Sequence, residues 1–595
     1  MHFADLPHKK SRKRGNHRAL FYHDPSLGRW IGLAWNELSD SIDQTAAAMA
    51  AFGIEPHANI GICSFNKPQC IVVDFANFAN RAVSVPIHAT MSAEQIAYIA
   101  NDTDMPLLFV GDQQQFDRAL QAQKSVPTLK HIVAFDASTN LRGEECAMHF
   151  SDFVNAGRNA EAQKNAEHRR KHASDDDLAI ILYTSGTTGE PKGTIIRHRQ
   201  LSEAMRINTE RFPSIGRKDR SVSFLPLSHI FERMFVYLLL MLDAKIYLNE
   251  RPADIQQTML SVRPTLMCNV PRYWEKVAIA AHQHFESYSP LKKGIMAWAI
   301  DVGRRYNLDY RRAGRRAPLR LWVRYRLANR LIFKKLKQRI GIDQGRIFPV
   351  AGAAASDRNL LFFRSVGVPL YYGYGLTETC ATVSVFPDRD FVIGSVGTII
   401  NGIEVKIGDD NEILVRGATV TEGYYHKPEA TRQAFVDGWL RTGDMGRLEG
   451  RTLYMTDRLK DLFKTSNGKY IAPQQIETRL CSDSLFHQVA MIGDNRNFVT
   501  AIIAPNLDAI ADFARQKQIA YTRIDELLTN AQVMAFVAER IAALQNDMAE
   551  YEKIKRFRLI KEAFSIESGE LTTTLKLRRA AIQQHYHQLI DEMYE

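Results

Sequence analysis

Residues 183–193 read Tyr-Thr-Ser-Gly-Thr-Thr-Gly-Glu-Pro-Lys-Gly and follow the apolar run Ala179-Ile180-Ile181-Leu182. Glycines in such a loop let the backbone take positive φ and come close to a ligand. Exposed N–H groups of successive residues then form a concavity that binds anions. Thr184, Ser185, Thr187 and Thr188 can add hydroxyl donors, and Lys192 adds a mobile point charge. The chemistry is polyphosphate binding and neutralisation of developing negative charge. The string lacks the G-x-x-x-x-G-K-S/T pattern of the commonest phosphate loop. A generic Gly/Thr loop would read equally well as a flexible connection; the length of this string after an apolar strand favours the phosphate reading.

Six further strings can carry chemistry. They are Phe224-Leu225-Pro226-Leu227-Ser228-His229-Ile230-Phe231-Glu232-Arg233, Ala351-Gly352-Ala353-Ala354, Tyr371 to Thr379, Trp439 to Gly446, Tyr454 to Pro473, and Gly569 to Leu577. Small side chains at 351–354 permit a flat ring to approach the backbone. A carboxylate such as Glu378 is the oxygen ligand a hard cation prefers beside phosphate. Asp444 offers two acceptor oxygens, enough for a pair of hydroxyls. Each string alone has a plainer reading, as a packed turn, a β-turn cap or a solvated charged loop.

Together and in this order, from about residue 18 to 580, the strings resemble the acyl-adenylate-forming (AMP-binding) superfamily, and within it the long-chain fatty-acyl-CoA synthetase branch. Two positions depart from the pattern: Ala355 and Thr573 stand where relatives usually carry proline. The resemblance implies an α/β fold, with a large multi-subdomain N-terminal region over 1–459 and a small mobile α+β domain over 460–595. It implies ATP, Mg²⁺ and coenzyme A as cofactor and co-substrates.

The resemblance also implies roles. Thr184, Ser185, Gly186, Thr187, Thr188, Gly189 and Lys192 hold phosphates, and Glu378 with Thr184 binds the metal. Ala353, Ala354, Tyr374 and Gly375 form the adenine site, with Tyr374 stacking on the base. Thr377 donates to the α-phosphate or the acyl carboxylate, and Asp444 binds the ribose. Arg458 contacts ribose or phosphate, Lys460 is the hinge, and Lys464 and Gly468 belong to the segment that swings in to shape the thiol tunnel. His229 lies between acyl group and thiol, and Lys576 serves adenylation. The catalytic set is then Lys576, Lys192, His229, Thr377 and Glu378.

The implied reaction joins a long-chain fatty acid to CoA through an acyl-adenylate, releasing AMP and diphosphate. The alternatives are an adenylating enzyme that loads a carrier-protein thiol, a medium-chain or aryl acid–CoA ligase, and a non-catalytic scaffold on the same fold. No G-x-S-x-G elbow accompanies His229, so no Ser-His-Asp triad is assigned.

The elements that must position these residues alternate in period. Asn36–Phe52 has helical spacing, Asn59–Ser64, Ala82–Ile87 and Leu107–Val110 read as strands, and Ser92 to Gln95 reads as a helix start. This is βαβ grammar. Residues 155–177 read as a polar surface linker, and 396–456 as short strands with Gly turns in a smaller β subdomain. Phe235–Leu242 is apolar but far below the roughly 20 residues of a membrane span. It reads as a buried helix or strand. Six scattered cysteines have no metal-ligand spacing.

Lys plus Arg total 77 against 66 Asp plus Glu, a net of +11. Residues 304–339 alone hold 14 basic side chains and one acid, Asp309, so the rest of the chain nets −2. Charge so confined argues against nucleic-acid binding. Within a helical block at 285–340, apolar positions 321, 325, 328, 332 and 336 keep helical spacing among the basic residues, the pattern of an interfacial helix. The expectation is a cytoplasmic enzyme with this segment as a candidate contact to the anionic inner face of a membrane.

Overall fold

The computed structural model describes residues 2–184, 190–286, 288–458, 462–466, 469–565, 568–572 and 576–595. Its first layer is a seven-stranded sheet in the order Ala147–His149, His131–Ala134, Leu107–Val110, Asn59–Cys63, Val83–Ile87, Leu178–Thr184, Lys192–Arg197. All neighbours pair in parallel except the last two, which form an antiparallel hairpin. The inner strands 59–63, 83–87 and 107–110 are buried along their whole length, which is why they read as continuous apolar runs. Crossover helices Pro68–Ala79, Ala93–Asp102 and Gln113–Gln123 return the chain between them. Ser92 caps the second of these through the Gln95 amide, and Gln95 reaches back to Ser92, as the sequence motif predicts.

A second sheet begins with Arg18–Asp24 and Arg29–Ala34. Strand 18–24 pairs in parallel with Lys245–Leu248, which pairs with Arg220–Ser223. Single bridges at Leu266 and Asn269 connect that edge toward Phe348–Val350 and Leu370–Tyr374. From strand 370–374 the pairing turns antiparallel and runs on into the Gly-rich β subdomain through Trp439–Glu449 and Thr452–Arg458. Between the sheets lies helix Ile230–Met241, which contains the apolar run left open as helix or strand. Val236, Tyr237, Leu238, Leu239 and Leu240 are at most 2 % exposed. Full burial of one large apolar side chain stabilises by about 1.5–3 kcal/mol. The C-terminal region has its own three-stranded sheet, Phe486–Ile492, Val499–Pro505 and Ile554–Leu559, around separate apolar cores.

Two expectations change. Residues 155–177 are not a linker: Ala160–Lys171 is a helix, capped by Asn159, with Ala162 and Ala166 buried and Arg169 bonded to the Ile54 carbonyl. Its contact face consists of alanines, which carry little hydrophobic signal. The 285–340 block is helical but broken. Pro290–Arg304 runs on into wide turns to Arg311, the chain then turns over 312–318, and a second helical rod runs from Leu319 to Ile340.

Burial holds three histidines neutral, with values near 4 for His88 and His229 and near 3 for His198. An unfolded histidine titrates near 6.5. Between about pH 6.5 and 4 the unfolded chain therefore binds more protons than the folded one, and stability falls as pH drops through that window. The melting temperature should decrease from pH 7.5 to pH 5. His198→Phe, at a site with no exposed surface, should flatten that slope; an unchanged slope would contradict the account.

Candidate active site

The hairpin of strands 178–184 and 192–197 closes at the carboxyl end of strand 178–184, where ligands gather in open α/β sheets. Thr184 pairs across the hairpin with Lys192. Ser185, Gly186, Thr187, Thr188 and Gly189 lie outside the described residues, as do Lys460 and Gly468. The segment after the β subdomain's first hairpin crosses back onto this strand: Ile195 N–H donates to the Gly423 carbonyl at 3.1 Å and Tyr425 N–H to that of Gly193 at 2.7 Å. This crossing brings Tyr424 over the hairpin. The Lys192 Nζ sits 5.3 Å from the Tyr424 ring centre, and the Tyr424 hydroxyl donates to Glu378 Oε1 at 2.9 Å. Burial first, then the neighbouring Glu378 carboxylate, push the Tyr424 phenol up, so it stays a donor. Thr421 N–H fixes the Glu378 carbonyl at 2.7 Å. Lys192, Tyr424 and Glu378 thus form one cluster, with Thr377 buried beside it.

A second cluster forms where strand 370–374 meets the β subdomain. The Tyr374 hydroxyl donates to Asp444 Oδ2 at 2.6 Å, and Arg458 Nε lies 3.2 Å from Asp444 Oδ1. Asp444 and Arg458 are direct partners across strands 439–449 and 452–458. A carboxylate oxygen can accept more than one hydrogen bond, so these contacts do not by themselves bar Asp444 from accepting further donors. Gly375 follows Tyr374 because a Cβ there would stand 1.4 Å from the Ala381 carbonyl oxygen. Gly352 has φ +91, a turn that leaves Ala353 exposed, and the Tyr372 hydroxyl ties the turn down by donating to the Ala353 carbonyl at 3.1 Å and accepting from Ala355 N–H at 3.1 Å. The Ala355 departure therefore leaves an amide donor where proline has none.

His229 caps helix 230–241. Its Nδ1 accepts from the Phe231 amide at 3.3 Å, and crowding by protein keeps the ring neutral. With Nδ1 as acceptor, the proton of the neutral ring belongs on Nε2, which is then the ring's donor. Lys576 stands near enough to lower the His229 value further. Its backbone is tied to the preceding segment: Leu571 bridges Leu577, Thr572 N–H donates to the Lys576 carbonyl at 2.8 Å, and Lys576 N–H donates to Thr572 Oγ1 at 3.0 Å. The C-terminal region meets the large one through Arg272, which donates to the His487 carbonyl at 2.8 Å. Lys464 is not gathered in. It is exposed, with its Nζ 5.6 Å from the Tyr470 ring.

Two residues of this architecture, Tyr424 and Asn66, lie outside the sequence motifs, and a third, Arg233, lies inside the 224–233 string without an assigned role. For Tyr424 the glycine before it, in Thr421-Glu422-Gly423-Tyr424, is a weak signal. Asn66 clamps the loop before His229, donating to the Leu225 carbonyl at 2.8 Å and accepting from Leu227 N–H at 3.1 Å. Arg233 donates to the Leu227 carbonyl at 2.7 Å and pairs with Asp74, which also accepts from Tyr237 at 2.9 Å. Arg233 and Asp74 side chains are 1 % and 0 % exposed. Among the described residues no group of three His, Cys, Asp or Glu side chains could hold a metal.

The chain matches the AMP-binding enzyme family over residues 8–425 and the AMP-binding enzyme C-terminal domain over 460–595. It is 32 % identical to human long-chain-fatty-acid–CoA ligase 1, over 94 % of this chain and 81 % of that protein. It is 28 % identical to the long-chain-fatty-acid–CoA ligase FadD15 of Mycobacterium tuberculosis, over 95 % of this chain and 93 % of the relative. The anthranilate CoA ligase AuaEII, solved with anthranoyl-AMP, superposes with a TM-score of 0.74 at 18 % identity, covering 99 % of this chain and 98 % of that one. At that identity the likeness concerns the fold. The chain belongs to the AMP-binding enzyme family and has the acyl-adenylate-forming fold. Its relatives make it an acid–thiol ligase of that family.

Breaking a buried ion pair from one side costs about 3–5 kcal/mol. Arg233→Leu should lose that much in urea denaturation, because Asp74 stays buried without its cation. Arg233→Leu combined with Asp74→Leu should recover most of it. A loss under about 1 kcal/mol for the single variant would contradict the clamp.

Proposed function

We propose that this chain is a long-chain fatty acid–CoA ligase, converting fatty acid, ATP and CoA to acyl-CoA, AMP and diphosphate. The observation that carries the reading is the convergence of three sets of side chains from distant segments: Lys192 with Glu378, Tyr374 with Asp444 and Arg458, and Lys576 beside His229. Identities of 28–32 % to long-chain ligases over nearly the whole chain support the acyl class.

A carboxylate resists nucleophiles because of its charge, so it must be activated. One carboxylate oxygen attacks the α-phosphorus of ATP, the bond to the β-phosphate oxygen breaks, and diphosphate leaves. The protein's part is alignment and stabilisation of spreading negative charge. Thr184 and Lys192, at the two ends of the hairpin, bind the β- and γ-phosphates. The adenine lies on Tyr374 against Ala353 and Ala354, where Gly375 keeps the strand close, and the ribose hydroxyls donate to Asp444 beside Arg458. Thr377 donates to the α-phosphate. Lys576 sits between the leaving diphosphate and the acyl carboxylate.

One carboxylate, Glu378, with the Thr184 hydroxyl nearby on the hairpin, suits Mg²⁺, which keeps few protein ligands and fills its shell with water and phosphate. The ion would neutralise phosphate charge there. Tyr424 orients Glu378 for that duty, and Lys192 supplies the fixed cation.

In the second step the CoA thiolate attacks the acyl carbon and AMP leaves. Lys576 has no task in this step, so the small domain rotates about Lys460 and brings the segment of Lys464 and Gly468 to the thiol path. The outlying position of Lys464 agrees with a chain standing in its adenylating arrangement. Neutral His229, donating from Nε2, offers a hydrogen bond to the acyl oxygen as charge builds on it.

With ATP, Mg²⁺, CoA and acids from acetate to stearate, the purified chain should form AMP, diphosphate and thioester, with kcat/KM rising toward long chains, since each buried CH₂ contributes about 0.8 kcal/mol. A maximum at short or aromatic acids would refute the substrate class. AMP formed without acyl-CoA would favour a carrier-protein thiol as acceptor. Lys576→Ala should slow adenylation by about 10²-fold or more while leaving thioester formation from supplied acyl-AMP within a few fold. Equal losses in both steps would remove its assigned role.

A further inference from the structure

Residues 319–340 form a nearly continuous helical rod, about 33 Å long at about 1.5 Å per residue. Two apolar stripes run along it. The first is the one its sequence spacing picks out. Leu321 and Ala328 are buried against the large domain with Phe333, and Tyr325 stacks on Tyr306 at 4.0 Å. Folding uses this stripe up, so it cannot also face a membrane.

The second stripe points the other way. Leu319, Trp322, Val323, Leu327 and Leu331 are 74, 40, 51, 48 and 50 % exposed. Steps of three and four residues align them along one side of the rod. A solvated helix face carries polar residues at such positions; single exposed apolar side chains need no explanation, but a stripe along one helix does. Helix 290–304 packs against the rod and adds Leu291 at 77 % and Ile295 at 46 %. Arginines 320, 324, 326 and 330 flank the stripe and are exposed. Among the described residues Arg320, Arg324 and Arg330 make no ion pair, while Arg326 lies 5.0 Å from the Trp322 ring centre.

We propose that the outer face of the 319–340 rod is a docking surface for an anionic lipid bilayer. The exposed leucines, Val323 and Trp322 enter at headgroup level, and the four arginines reach lipid phosphates. Charge complementarity selects this occupant. The surrounding window nets +13 on a chain otherwise at −2. A second copy of the chain would set the same positive face against itself, and a nucleic acid offers no apolar layer for the leucines. No helix among the described residues is long and apolar enough to cross a membrane. The pattern is that of a helix lying in the interface plane, where Trp and long basic side chains anchor.

The test is co-sedimentation of the full chain with vesicles of phosphatidylcholine alone or of equal parts phosphatidylcholine and phosphatidylglycerol. Binding to the anionic vesicles should be about tenfold tighter or more, and should weaken with salt. Arg320→Glu/Arg324→Glu/Arg330→Glu and Leu319→Ser/Trp322→Ser/Leu327→Ser should each lose about tenfold in partitioning, with melting temperature unchanged because every substituted side chain is exposed. Equal binding to both vesicles, or retention by either variant, would overturn the proposal. So would vesicle-free sedimentation abolished by the serine variant, which would assign the face to a second copy, or binding of duplex DNA in preference to vesicles. The wild-type comparison of vesicle compositions decides even if a variant melts early. Vesicle binding is read without turnover, so failure of the substrate assignment leaves this test intact.

Discussion

Two backbone hydrogen bonds, Ile195 to Gly423 and Tyr425 to Gly193, fasten the hairpin of strands 178–184 and 192–197 to a segment more than 200 residues later in the chain. Without that crossing, Lys192 and Glu378 would belong to different sheets with nothing to set their separation. With it, Tyr424 is fixed between them, touching the cation with its ring and the carboxylate with its hydroxyl. Lys192 and Glu378, the side chains proposed for phosphate and metal binding, are thereby placed by one short piece of backbone.

The other parts of the site are held by similar economies. Asp444 and Arg458 face each other across adjacent strands, so their pairing follows from sheet register. His229 is set by a loop whose carbonyls and amides are taken by Asn66 and Arg233, and Arg233 is itself neutralised by Asp74 in the interior. The Phe-Glu-Arg continuation after His229 thus has a physical reason in Arg233, a brace under the histidine. Lys576 comes from the C-terminal region and stands close enough to disfavour protonation of His229, while Arg272 joins the two regions by a hydrogen bond.

Much of this was legible in the sequence where the signal is local. Strands 59–63, 83–87 and 107–110 are short apolar runs between turns, and the Ser92–Gln95 cap is a four-residue pattern; both survive without knowledge of the rest of the fold. Signals that depend on distant pairing were not legible. The strand Arg18–Asp24 has no sequence mark that it will lie beside Lys245–Leu248, and Tyr424 has none that it will reach Glu378. Helix 160–171 was hidden for another reason, since a face of alanines and an arginine reaching a carbonyl look like a polar linker. At 319–340 the spacing of 321, 325, 328, 332 and 336 predicts an interfacial face, but the structure packs that stripe against the large domain. The exposed stripe breaks the usual amphipathic pattern, and only burial separates the two. Of the site residues, those on strands and turns could be placed, while the loop at 185–189 and residues 460 and 468 lie outside the described chain.

The central claim is that the fatty acid carboxylate attacks the α-phosphorus of ATP in this cleft. It is tested most directly by turnover with fatty acid carrying ¹⁸O in both carboxylate oxygens, followed by mass analysis of the products. The account predicts one ¹⁸O atom transferred to AMP for each thioester formed, with none in diphosphate. Label appearing in inorganic phosphate or diphosphate, with AMP unlabelled, would place the attack at another phosphorus and contradict it.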